Sequence, residues 1–104
     1  MSNPLTKGLR PTHPGEILRE DTLPALGRPK TEIARLLGIS RRMLYDLLDE
    51  KSPITPQMAL RIAKLTGTEA EHWLNLQQMY DLRLAEQELA GALKQIPRLE
   101  TREA

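Results

Sequence analysis

The residues best equipped for chemistry in this chain lie between Lys30 and Lys51, and they are cationic or hydroxylic. Arg41 and Arg42 stand side by side after Ser40, with Tyr45 a turn further on, Lys30 and Thr31 upstream and Lys51 just downstream. A guanidinium carries paired N–H donors that match O6 and N7 of guanine, and each such pair discriminates by about 1–3 kcal/mol. A lysine ammonium suits a phosphate as a point charge. Catalysis would ask for something else: a nucleophile beside a base, or a metal cluster. His13 and His72 are far apart and belong to no metal-ligand pattern, Cys is absent, and the acids are scattered over polar faces. The residues therefore describe a non-enzymatic binding protein with no cofactor and no metal.

Two short helices must position these groups. The first is expected over Pro29 to Leu37, with Ile33, Ala34 and Leu37 on its inner face. Gly38 stops it in the left-handed conformation that glycine tolerates. Ile39 plugs the angle, and Ser40 caps the next helix by accepting from its free N–H groups. Ala34 is small enough to let the second helix approach closely. Small residue, Gly, apolar residue and Ser at these offsets are the logic of a helix-turn-helix. In the recognition helix Leu44, Leu47 and Leu48 form the buried stripe, leaving Ser40, Arg41, Arg42, Tyr45, Asp46 and Asp49 outside. The N-terminal part of such a helix meets base edges. Lys30, helped by Thr31 and the helix N-terminus, is placed for a phosphate, as is Lys51. Asp46, Asp49 and Glu50 should keep the far end of the helix shallow in a groove. On spacing alone, plain helix packing with a solvated face stays open. Either arginine can bind phosphate instead, and Tyr45 can pack at the domain edge.

The flanks read as further helices. His13-Pro14 opens a first helix to about Thr22, ended before Pro24, with Leu23 to Gly27 as a connector. Thr55-Pro56 opens a fourth, running to Thr66 with Gly67 as its stop. Thr68 and Glu71 have the spacing of a capping box for a fifth, whose Trp73, Leu76, Gln77 and Tyr80 share a face. Helical periodicity then continues through Leu82, Ala85, Leu89, Ala92, Leu93 and Ile96 until Pro97. The expected fold is all-α: a five-helix domain over residues 11–80, a flexible arm over 1–10, and a helical extension with a frayed tail over 81–104. Hydrophobic residues make up 39% and charged residues 28%, a globular rather than disordered balance. A net charge of +1 announces no nucleic acid by itself, so any such claim rests on where the charges sit. No apolar run reaches the roughly 20 residues of a membrane span, and no secretory signal opens the chain, so a cytoplasmic location without membrane contact is expected.

Taken together, several segments resemble the HigA-type antitoxins of the lambda-repressor-like (XRE) helix-turn-helix class. They are His13-Pro14-Gly15-Glu16-Ile17-Leu18, the Ala34 to Arg42 turn, Leu44-Tyr45-Asp46-Leu47-Leu48, Thr55 to Arg61, Trp73 to Gln77, and Tyr80-Asp81-Leu82, in the family's order across Arg10 to Leu84. The resemblance implies a lambda-repressor-like domain that represses its own operon as a homodimer on palindromic, double-stranded operator DNA. It also implies a partner toxin, a RelE-like mRNA-cleaving ribonuclease. Ser40, Arg41 and Arg42 fall at its DNA-reading positions and Lys30 at a backbone-contact position. Pro29 departs from the capping Ser common there, and His72 from an aromatic residue. Met43 replaces a small polar residue; it either touches a thymine methyl or fills the interior, and filler is the preferred reading. Trp73, Leu76 and Tyr80 are core or dimer surface, and the fifth helix is expected to contribute to a two-fold interface. The stripe Leu82, Leu89, Leu93 and Ile96 could meet the toxin or the second subunit. The alternative is a stand-alone repressor without a toxin.

Overall fold

The structure, a computed structural model, describes residues 11–102. Its α-helices are α1 (Pro14–Ile17), α2 (Lys30–Leu37), α3 (Arg41–Leu48), α4 (Pro56–Thr66) and α5 (Ala70–Leu93), and none of the described residues is in a strand. The all-helical expectation holds for these residues. The arm over residues 1–10 lies outside them.

The chain enters α1 through His13, whose Nδ1 accepts the Gly15 N–H at 2.9 Å. Imidazole thus does the work of a capping hydroxyl, and Pro14 sits where no donor is needed. The expected helix to Thr22 is present in length but not in kind. Leu18–Thr22 winds as a π turn, with the Leu23 N–H donating to the Leu18 carbonyl at 2.9 Å. The wider turn swings Leu23 round towards Leu18, and both are buried. The connector read at Leu23 to Gly27 contains a 3-10 turn, Pro24–Leu26, closed by Gly27 at φ 64°.

The core gathers Leu18 and Leu23, Ile33, Ala34 and Leu37 of α2, Leu44, Leu47 and Leu48 of α3, Ile54, Met58, Ala59 and Ile62 of α4, and Trp73 of α5. α1 and α3 approach closely at Gly15. A Cβ on Gly15 would collide with the carbonyl oxygen of Leu47, so only glycine lets α1 lie this close to α3. Thr55 caps α4 by accepting the Met58 N–H at 3.2 Å, and Gly67 ends it at φ 72°.

Two expectations for the first half of α5 need correction. Thr68 does not cap it: the helix starts at Ala70 behind Glu69, with no side-chain cap. The Thr68 hydroxyl instead accepts the indole N–H of Trp73 at 2.7 Å. A buried indole must place its donor somewhere, and here that need overrides the local capping rule. Trp73 itself is 1% exposed and belongs to the core, so it has no surface to give to a dimer. Leu76 and Tyr80 remain half-buried and keep some surface.

Further along α5, the Gln77 side chain accepts the Ile54 N–H at 2.8 Å and donates to Asp81 at 3.0 Å. Tyr80 meets the His13 ring edge-on, 4.8 Å between centroids. The helix crosses residue 80 without a break, and every residue from Glu86 to its end is exposed. It stops at Leu93, three residues short of the expected Ile96, with short-range bonds from Gln95 and Ile96 closing the end. Pro97 disfavours helical backbone in the residue before it. No helix among the described residues is long and apolar enough to cross a membrane.

Candidate nucleic-acid interface

The turn between α2 and α3 has the expected construction. Ala34 is 2% exposed, Gly38 adopts φ 74°, and Ile39 packs against the core. The Ser40 hydroxyl accepts the Met43 N–H at 3.0 Å, fixing the first turn of α3. Behind that turn Leu44, Leu47 and Leu48 are nearly inaccessible. The outer face of α3 is therefore held rigidly by its inner one.

All seven residues singled out for contact are exposed: Lys30, Thr31, Ser40, Arg41, Arg42, Tyr45 and Lys51. The fold brings some of them together. Lys30 Nζ lies 5.9 Å from the centre of the Tyr45 ring, a cation–π distance that joins the start of α2 to the outer face of α3. Arg41 and Tyr45 share a face as an i, i+4 pair. Arg42 lies beside them with its Nε 3.6 Å from an Asp46 carboxylate oxygen, its side chain 88% exposed. No acidic group among the described residues lies within ion-pair distance of Arg41. Lys51 stands apart, beyond the other end of α3, where its backbone N–H donates to the Asp46 carbonyl at 2.8 Å and closes the helix.

The start of α2 carries the predicted departure. Pro29 occupies the cap position in extended backbone, with no side chain bonded to the first N–H groups. α2 begins one residue later than expected, and its first helical bond runs from the Ile33 N–H to the Pro29 carbonyl at 3.0 Å. That leaves the positive end of the helix turned outward beside Lys30 and Thr31, as an anion-binding end should be. Met43 requires a correction. It is 50% exposed and is not interior filler, because it lies about 100° round the helix from Leu44, at the edge of the buried stripe.

Two arginines that the sequence reading passed over hold the motif from outside. Arg61 of α4 donates from Nη1 to the Leu37 carbonyl at 2.7 Å, at the C-terminus of α2. Arg19 donates from Nη1 to the Leu48 carbonyl at 2.6 Å, at the C-terminus of α3. A cation at a helix C-terminus satisfies an orphan carbonyl and complements the helix dipole. Arg19 also meets Glu20 at 2.7 Å and Glu50 at 3.3 Å. The bond to Glu20 above all, and then that to Glu50, raises its pKa above the ordinary value against some desolvation. Glu50 takes the left-handed position after α3 at φ 63°, an uncommon place for a residue with a side chain. Its carboxylate is thereby turned to Arg19 rather than left standing at the end of α3.

A solvent-facing helix, capped by Ser, backed by leucines and crossed by a second helix whose N-terminus opens on the same side, is the arrangement of a DNA-binding helix-turn-helix. The chain belongs to the helix-turn-helix family, in its XRE-like branch, matching it over residues 18–73. It is 40% identical over 89 residues to virulence-associated protein I of Dichelobacter nodosus, covering 85% of this chain and 82% of that protein. Its fold matches that of antitoxin GraA in complex with its operator, with a TM-score of 0.82 at 37% identity over 97% of this chain and 99% of that one. It likewise matches Pseudomonas aeruginosa antitoxin HigA with the higBA promoter, with a TM-score of 0.79 at 32% identity over 86% and 97% of the two chains. These structural neighbours are antitoxins of the HigA and GraA type, as the resemblance implied.

Proposed function

We propose that this protein is the antitoxin of a type II toxin–antitoxin pair. In this reading it binds palindromic operator DNA as a homodimer, represses its own operon, and neutralises a RelE-like mRNA-cleaving toxin without catalysis of its own. The observation that carries the DNA reading is the exposed first turn of α3, where Ser40, Arg41 and Arg42 stand clear of a fully buried leucine stripe. Arg41 and Arg42 read guanines, Tyr45 lines the groove, and Lys30, Thr31 and Lys51 take phosphates on either side. Operator complexes of GraA and HigA, with closely similar folds, support the operator-binding reading.

One short recognition helix reads few base pairs, so specificity calls for two half-sites about 34 Å apart. α5 is the element that supports a two-fold contact. Its 24 residues span about 36 Å at the usual rise, and Leu82, Leu89 and Leu93 are each about half exposed along it. Leu76 and Tyr80 would join that surface. The toxin reading is supported by the antitoxin character of the neighbours and by no geometric feature of this chain.

The test is a gel shift on the DNA upstream of the protein's own gene, comparing wild type with the Arg41→Ala, Arg42→Ala double variant. The expected result is a large loss of specific binding with helicity intact. An unchanged shift would overturn the site assignment. For the toxin, co-expression with the product of the adjacent gene should relieve growth inhibition and yield a stable complex. If no neighbouring gene encodes such a product, the stand-alone repressor is the better reading.

A further inference from the structure

Met43 is the one large apolar side chain on the first turn of α3 that does not go inward. With 3.6 residues per turn, it lies about 100° from Leu44 on one side and about 100° from Arg42 on the other. It is 50% exposed, it is not among the side chains packed on the core, and its N–H is pinned to Ser40 at 3.0 Å. The position of its Cα is therefore as well fixed as that of Arg42. Tyr45 lies on the opposite flank, against Lys30. Met43 thus forms an apolar edge beside a row of polar readers.

We infer that Met43 is a specificity-determining residue that reads the 5-methyl group of a thymine beside the guanines contacted by the arginines. The inference rests on the operator reading above and adds a base to it. In the major groove the thymine methyl is the bulkiest apolar feature that a base pair presents, and it stands among donors and acceptors. A thioether donates nothing and accepts only weakly, so facing any other base edge it would desolvate a polar group without pairing it. Against a methyl it gains contact area, and its unbranched, polarisable chain adapts to the groove wall. The half of Met43 that folding leaves in water is then covered on binding.

The experiment uses the full chain and its own operator, with each thymine replaced in turn by deoxyuridine, which removes the methyl and nothing else. For wild type, one position in each half-site should lose about fourfold in affinity, the equivalent of one buried methyl group, while the other positions change little. Met43→Ala should bind the unmodified operator severalfold more weakly and be indifferent to deoxyuridine at that position. Because Met43 is half exposed, the variant should melt with wild type, and a matching melting curve separates recognition from folding. Wild-type binding that is insensitive to deoxyuridine at every position overturns the Met43 assignment and leaves the operator reading standing. So does a Met43→Ala variant with the wild-type profile. Failure of the wild-type protein to bind the unmodified operator overturns both.

Discussion

The same substitution, glycine to alanine, should have opposite effects at two places in this protein. At Gly91, in the exposed part of α5, an added Cβ meets nothing within 4 Å. Alanine there gains up to about 1 kcal/mol of helix propensity, seen as increased helicity in far-UV circular dichroism and no fall in melting temperature. At Gly15 the Cβ is driven into the Leu47 carbonyl oxygen. A backbone oxygen inside a helix cannot rotate away, so α1 and α3 must part. Overpacking of this kind costs about 1–3 kcal/mol, and the propensity gain is small at the second residue of a four-residue helix. A net loss of about 2 kcal/mol lowers the melting temperature of a domain this size by roughly 8–16 °C. Because Leu47 lies in the recognition helix, operator affinity should also weaken well below the melting point. A Gly15→Ala protein that melts at or above the wild-type temperature would refute the close approach of α1 to α3.

Two further perturbations follow from the same geometry. Lys30→Ala should lower the slope of log affinity against log salt by about one, the release of roughly one counterion, and leave the preference among operator sequences unchanged; a gel-shift titration over salt concentrations that gives the wild-type slope would remove Lys30 from the phosphate contacts. Arg61→Met keeps the aliphatic stem and deletes the guanidinium that caps α2 at Leu37. A charge-assisted bond at this partly exposed position is worth about 1 kcal/mol, so the melting temperature should fall by roughly 4–8 °C. A melting curve coincident with wild type would show that the Leu37 carbonyl is equally well served by water.

What the sequence made legible was local. Gly38, Ser40, Thr55, Pro56 and Gly67 act within a turn of their own positions, and each does in the structure what its type predicts. The leucine stripe of α3 was readable because 44, 47 and 48 fall on one side of any helix. Met43 was not, since a residue about a quarter-turn from the centre of the stripe sits on its boundary and the pattern alone does not choose its side. Thr68 was misread because its capping rule takes no account of an indole five residues on. The bonds from Arg19 to Leu48, Arg61 to Leu37 and Ile54 to Gln77 join positions 23 to 29 residues apart. No spacing rule reaches that far, so they became visible only once the helices were packed.

Those two arginine brackets change what kind of unit the motif is. Residues 30–48 can be excised from the sequence as one continuous string, yet the carbonyls that close both of its helices are answered from α4 and from the π turn after α1. Grafted into another scaffold, the string would carry its reading face but leave both fasteners behind, and α3 would fray from the end farthest from the bases. A redesign for a new operator should therefore exchange side chains at 41, 42, 43 and 45 in place and keep Leu44 and the surrounding frame intact.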